Sequence, residues 1–203
     1  MEQFFVVISI PSKTTCKMKS QSTLLVICSA VMLALSGFSF FHRTKTAHNN
    51  KKPVRTSSTF RIVIDKSHYE LKLYDEEGWV STYPVVFGTS EMTDKMMEGD
   101  RRTPEGNYKI IAKKLHPEWG HFLLLDYPTQ TDLEKFKARK SQGIIPATAK
   151  PGGGIGIHAT RRNEDRFVDY YYNWTLGCIS TKREYAKELY DLLPVGTEVT
   201  ILH

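Results

Sequence analysis

The chain has 203 residues with 40% hydrophobic, 11% aromatic and 25% charged content, which fits one globular domain plus a leader or tail and excludes a large multi-domain assembly. Thirteen Gly and nine Pro are ordinary counts, so a collagen-like repeat and wholesale disorder are excluded as well. The net charge of +6 suits an anionic surrounding such as a wall polymer or membrane surface, and no Lys/Arg block is long enough to favour nucleic acid.

The first forty-one residues read as a leader. Leu24 to Phe41 runs eighteen residues without a charge behind Lys13, Lys17 and Lys19, a membrane-targeting pattern. Its length lies between a signal-peptide apolar region and a minimal anchor, and Ala34 and Ser36 supply small residues for cleavage before Gly37. Val26 and Ile27 precede Cys28 where a lipoprotein signal has small residues, which argues against lipidation. The prefix before Met18 is unusual for a signal, and starting at Met18 restores a short basic region ahead of the apolar run, so Met18 is the expected start. His42 to Thr59 is polar and basic and reads as a tether.

From Phe60 the pattern is that of strands. Phe60, Ile62 and Ile64 alternate with polar or exposed positions, as do Tyr69, Leu71 and Leu73, around a turn at 66–68. Glu76-Glu77-Gly78 makes a second turn, and Trp79 to Phe87 a third strand whose Pro84 suits a sheet edge. Thr103-Pro104-Glu105-Gly106 has type I turn chemistry and leads into a strand over 107–112, and 121–127 is a further, buried strand. Thr131-x-x-Glu134 predicts a capping box on a charged helix ending near Gly143. Gly152 to Gly154 force a loop, from which 155–158 leaves as a strand ending in His158. Thr181-x-x-Glu184 predicts the cap of a last helix with Ala186, Leu189, Tyr190 and Leu193 on one face, followed by a strand over 197–202. The expected class is mainly β with two short peripheral helices.

Chemistry concentrates between residues 154 and 181. Of the three cysteines, Cys16 and Cys28 fall in the leader, so Cys178 is alone in the exported part and has no internal disulfide partner. It stands just before the predicted final helix, where the macrodipole would favour a thiolate. With His158 as general base it would form a nucleophile pair, and the N–H groups of Gly177 and Cys178 would offer an oxyanion hole. The same residues are equally compatible with a small buried thiol and a loop histidine. His116, His121 and Asp126 match no standard zinc spacing.

GIGIHAT, sixteen residues from Ala159 to Trp174, and then TLGCIS resemble the catalytic signature of the L,D-transpeptidase (YkuD-type) family, with Thr175 in its Ser/Thr position. The segments DKSHYELKLYD and GDRRTPEGNYKI also resemble the family, so the likeness covers roughly residues 60–203. Ala159, Leu176 and Ser180 depart from its usual Gly, His, and Arg or Asn. The resemblance implies a β-sandwich domain in the cell envelope, exported across the cytoplasmic membrane, acting on peptidoglycan stem peptides through Cys178 and His158 with support from Gly177 and Thr175. It implies no metal or cofactor, acylation by carbapenem-type inhibitors, no nucleic-acid partner, and membrane contact through the leader only. Arg101 and Arg102 are candidates for a stem carboxylate or are solvated loop charges, and Tyr172 and Trp174 are candidates for a cleft wall or for packing. Two other readings remain: a cell-wall hydrolase, in which water takes the thioester, and a non-catalytic wall-binding module.

Overall fold

The computed structural model of the protein describes residues 59–203. The expected leader and start, and the expected tether up to residue 58, lie outside the described residues. Strands β1 (Arg61–Asp65), β2 (Glu70–Asp75) and β3 (Gly78–Pro84) form the antiparallel meander that the alternation predicts, with Ile62 opposite Leu73 and Ile64 opposite Leu71 on the buried face. Period-2 patterning places those four side chains inward, and all are essentially inaccessible. The third strand ends at Pro84, earlier than expected, and lies at the sheet edge, where a missing N–H costs no ladder bond.

Five more strands follow: β4 (Gly106–His116), β5 (Gly120–Leu125), β6 (Gly156–Ala159), β7 (Ile179–Thr181) and β8 (Glu198–Leu202). Their order is β3-β2-β1-β8-β4-β5-β6-β7, with β8 parallel to β1 and β6 parallel to β7. Strand β4 belongs to both layers. Its residues 106–109 pair with β8 and its residues from Ile110 onward pair with β5, with an irregularity between Ile110 and Ala112 just after the strand changes partner. Val86 exchanges two backbone bonds with Ser180 and so links the segment after β3 to β7, at the other end of the strand order. Ile62, Leu71, Tyr108, Leu123, Ile157 and Leu189 share one core, a mainly β sandwich-like packing.

Among the described residues three helices stand where two were expected: α1 (Gln130–Ser141), α2 (Arg166–Asp169) and α3 (Arg183–Leu192). The single turn of α2 is too short to carry an apolar period. Of the two predicted capping boxes, the first shifts and the second does not form. Thr129, not Thr131, caps α1, and its reciprocal partner is Asp132; Asp132 is also held by the Tyr108 hydroxyl at 3.1 Å, a tertiary bond that selects this pair over the one two residues on. Thr181 donates to Pro84 O (2.8 Å) instead of capping α3, and Asp165 accepts the Arg183 N–H (3.1 Å) in its place. Thr103 to Glu105 is irregular backbone and not a turn: Gly106 already pairs with Ile201 as the first residue of β4, and the Glu105 N–H donates to Asp94 Oδ1 (2.9 Å).

Candidate active site

His158 is the third residue of β6, directly opposite Phe122 on β5 and Ser180 on β7. Its ring is 2% exposed and enclosed by aromatics: Phe122 and Trp119 stack on it at centroid distances of 5.8 and 5.0 Å, and Trp174 meets it edge-on at 5.5 Å. Trp119 Nε1, Trp174 Nε1 and Ser180 Oγ, all on residues beside or opposite the imidazole, are buried with no hydrogen-bond partner. This dry setting disfavours the imidazolium and lowers the His158 pKa to about 4. Its Nδ1 lies 2.8 Å from Ala159 O, an atom that can only accept, so Nδ1 carries the proton in the neutral ring and the lone pair is at Nε2. Ala159 continues β6 with ordinary strand backbone, so no left-handed residue is needed there.

Cys178 immediately precedes β7. Because Ile179 is opposite Ile157 and Ser180 opposite His158, continuing the register places Cys178 level with Gly156, one diagonal step from His158 on the same face of the strand pair. The thiol donates to Gly154 O at 3.5 Å and not to the imidazole. Burial pushes its pKa up to about 11, countered by the Gly156 backbone and by Lys95. The expected activation by a helix N-terminus is corrected here: β7 intervenes, and α3 starts only at Arg183 with its amide already taken by Asp165.

The turn that carries the cysteine is clamped. Thr175 Oγ1 donates to Cys178 O (2.7 Å) and accepts the Gly177 N–H (3.2 Å), while Thr103 Oγ1 donates to Gly177 O (3.0 Å). The Gly177 N–H is therefore directed to Thr175 Oγ1 within the turn. Gly177 has φ +128°, a conformation that a side chain rarely adopts. Gly88 packs against this turn so closely that a Cβ on it would stand 2.2 Å from Arg101 O and 2.7 Å from Thr175 O.

Of the other residues singled out in the sequence, Arg101 donates from Nε to Thr175 O (3.3 Å) at the turn, whereas Arg102 is ion-paired with Glu91. Trp174 sits between His158 and Arg161, whose guanidinium lies 4.8 Å from the indole centroid. Tyr172 is exposed and leans on Phe167 rather than on the Cys/His pair. Leu176 is 79% exposed at the rim of a cavity of about 280 Å³ that Lys95, Glu98, Gly152, Gly153 and Ile155 also line. Trp119, Phe122, Lys95 and Gly88 carry no local sequence signal; only the strand register and the loop packing bring them here. His116 stacks on Trp119, His121 meets Tyr190, and Asp126 accepts the Lys109 N–H, so those three side chains have separate partners. Among the described residues no group of three or more His, Cys, Asp or Glu is placed to hold a metal ion.

A search of curated protein sequences found no match. Among solved structures the chain is similar to the helical cell shape determining protein Pgp2 from Campylobacter jejuni, at 23% identity and TM-score 0.54 over 72% of this chain and 48% of that one. It is also similar to Bd1075 from Bdellovibrio bacteriovorus, at 20% identity and TM-score 0.50 over 75% and 50%. The chain thus spans about half the length of these two proteins, and at such identities the likeness is one of fold. The model of the L,D-transpeptidase catalytic domain, YkuD, matches residues 59–201, a stretch that contains both His158 and Cys178. The chain belongs to the L,D-transpeptidase (YkuD) catalytic domain family.

Proposed function

We propose that the protein is a peptidoglycan L,D-transpeptidase of the cell envelope, with Cys178 as nucleophile and His158 as general base and acid. The observation that carries this reading is the tautomer and placement of His158: Nδ1–H held by Ala159 O, a free lone pair at Nε2, and Cys178 on the same face of the β6–β7 pair. Turning from Gly154 O, the thiol passes its proton to Nε2, and the thiolate attacks the carbonyl at the L-centre of the diaminoacyl residue of a tetrapeptide stem. The Cys178 N–H faces the oxyanion. Collapse breaks the amide bond, the imidazolium returns its proton to the leaving amine, and terminal D-Ala departs from a thioester. The side-chain amine of a second stem, deprotonated by Nε2, then attacks the thioester carbonyl; the C–S bond breaks, the imidazolium returns its proton to Cys178 sulfur, and the new amide is a 3–3 cross-link. Thr175 and Gly177 hold the turn, and Arg101 stands at its rim as the candidate for a stem carboxylate. The net charge of +6 suits an anionic wall polymer. Pgp2 is described as determining helical cell shape, and by that likeness a cell-shape role is proposed here too.

The test is incubation of the full chain with a purified disaccharide tetrapeptide, read by mass. The expected product is a dimer equal to two substrates less one D-Ala, absent with Cys178→Ala. Tripeptide alone would replace the transpeptidase by the hydrolase reading, and no product from folded protein would favour a wall-binding module.

A further inference from the structure

A buried ion pair lies against the turn that carries Cys178. Lys95 Nζ donates to Asp100 Oδ1 at 2.7 Å and to Arg102 O at 3.5 Å, with the two side chains 3% and 8% exposed. Asp100 is fixed in turn by the N–H groups of Met96, Met97 and Arg102. The ammonium stands 3.6 Å from where a Cβ on Gly177 would lie, and Lys95 lines the same cavity as Leu176. Burying a lysine is costly even when it is paired, and a tie between loop and turn needs no charge.

Cys178 has a need that such a charge meets. The thiol is flanked by the Gly156 backbone and, on the same strand-pair face, by His158, whose aromatic enclosure opposes protonation. The macrodipole of α3 begins beyond β7, and Arg101 is turned to Thr175 O. Lys95, backed by Asp100, places its ammonium on the Gly177 side of the cysteine turn, where a positive charge opposes the effect of burial on the thiol.

We infer that Lys95, held by Asp100, is a positioning residue that stabilises the Cys178 thiolate through the Gly177 side of the turn. Lys95 forms no bond to substrate; the proton of the thiol goes to His158. The inference rests on Cys178 being the nucleophile of the proposed reaction, yet its test reads the thiol alone, so failure of stem-peptide turnover and failure of this inference are separate results.

The test follows alkylation of Cys178 by iodoacetamide in the full chain between pH 6 and 10, by peptide mass, with thermal unfolding as the check on folding. Lys95→Met is expected to slow alkylation at pH 8 by about three- to tenfold and to move the profile to higher pH. Lys95→Gln keeps an N–H for Asp100 but no charge, is expected to slow it equally, and decides the matter if Lys95→Met does not fold. Asp100→Asn, which removes the countercharge, is expected to react at least as fast as the wild type. A purely structural tie loosens in all three variants and exposes the thiol. Wild-type or faster alkylation in Lys95→Met and Lys95→Gln, or equal slowing in Asp100→Asn, would overturn the inference.

Discussion

Thr175→Val tests whether one hydroxyl holds the cysteine turn. Thr175 is 3% exposed, and its Oγ1 serves Cys178 O at 2.7 Å and Gly177 N–H at 3.2 Å. Valine matches threonine in size, so the substitution opens no cavity and removes only the two bonds, leaving an amide and a carbonyl unpaired. A lost bond costs about 1 kcal/mol and an unsatisfied buried group about 1–3 kcal/mol. Because Cys178 is only half-buried, its carbonyl regains water in part, and the sum comes to about 2–3 kcal/mol. For a domain of this size that is a fall in Tm of about 6–10 °C. Scanning calorimetry on wild type, Thr175→Val and Thr175→Ser measures it, with the serine variant, which keeps the hydroxyl, expected within about 1 kcal/mol of wild type. A valine variant melting within about 2 °C of wild type would show that the hydroxyl does not clamp the turn.

Gly88→Ala places a methyl 2.2 Å from one backbone carbonyl and 2.7 Å from another, neither of which can rotate away, so a loss of about 3 kcal/mol or more is expected; a wild-type melting curve would refute the close approach. Asp165→Ala removes the acceptor of the Arg183 N–H and is expected to lower stability by about 1 kcal/mol in denaturant titration, with an unchanged midpoint refuting the cap. His158 is lowered from 6.5 to about 4, so the unfolded chain binds the extra proton between those values. Stability from this group is complete above pH 6.5 and is lost as pH falls toward 4, by about 3 kcal/mol in all. Urea midpoints of wild type and His158→Gln should therefore diverge in slope across that window, and parallel slopes would contradict the buried neutral imidazole.

The meander and the buried β5 were legible because alternation and apolar runs report directly on which face a strand buries, as at Ile62, Ile64, Leu71 and Leu73. Membership of the family was legible because His158 and Cys178 stand at the characteristic spacing of its signature. The caps were not. Thr129 and Thr131 both satisfy the local pattern, and Tyr108, twenty-four residues before Asp132, decides between them. The activation of Cys178 was misjudged for a similar reason: proximity in sequence to a helix start is not proximity in space once three residues become a strand. Trp119, Lys95 and Asp165 act across turns and loops, so nothing local marks them.

A reactive Cys178 served by His158 is the centre of the proposed function. Intact mass of the full chain after exposure to a carbapenem, with Cys178→Ala and His158→Ala alongside, is the measurement that reaches it. A single covalent adduct on the wild type, none on Cys178→Ala and a markedly slower one on His158→Ala is the predicted result. An adduct that persists in Cys178→Ala, or none on folded wild type, would contradict it.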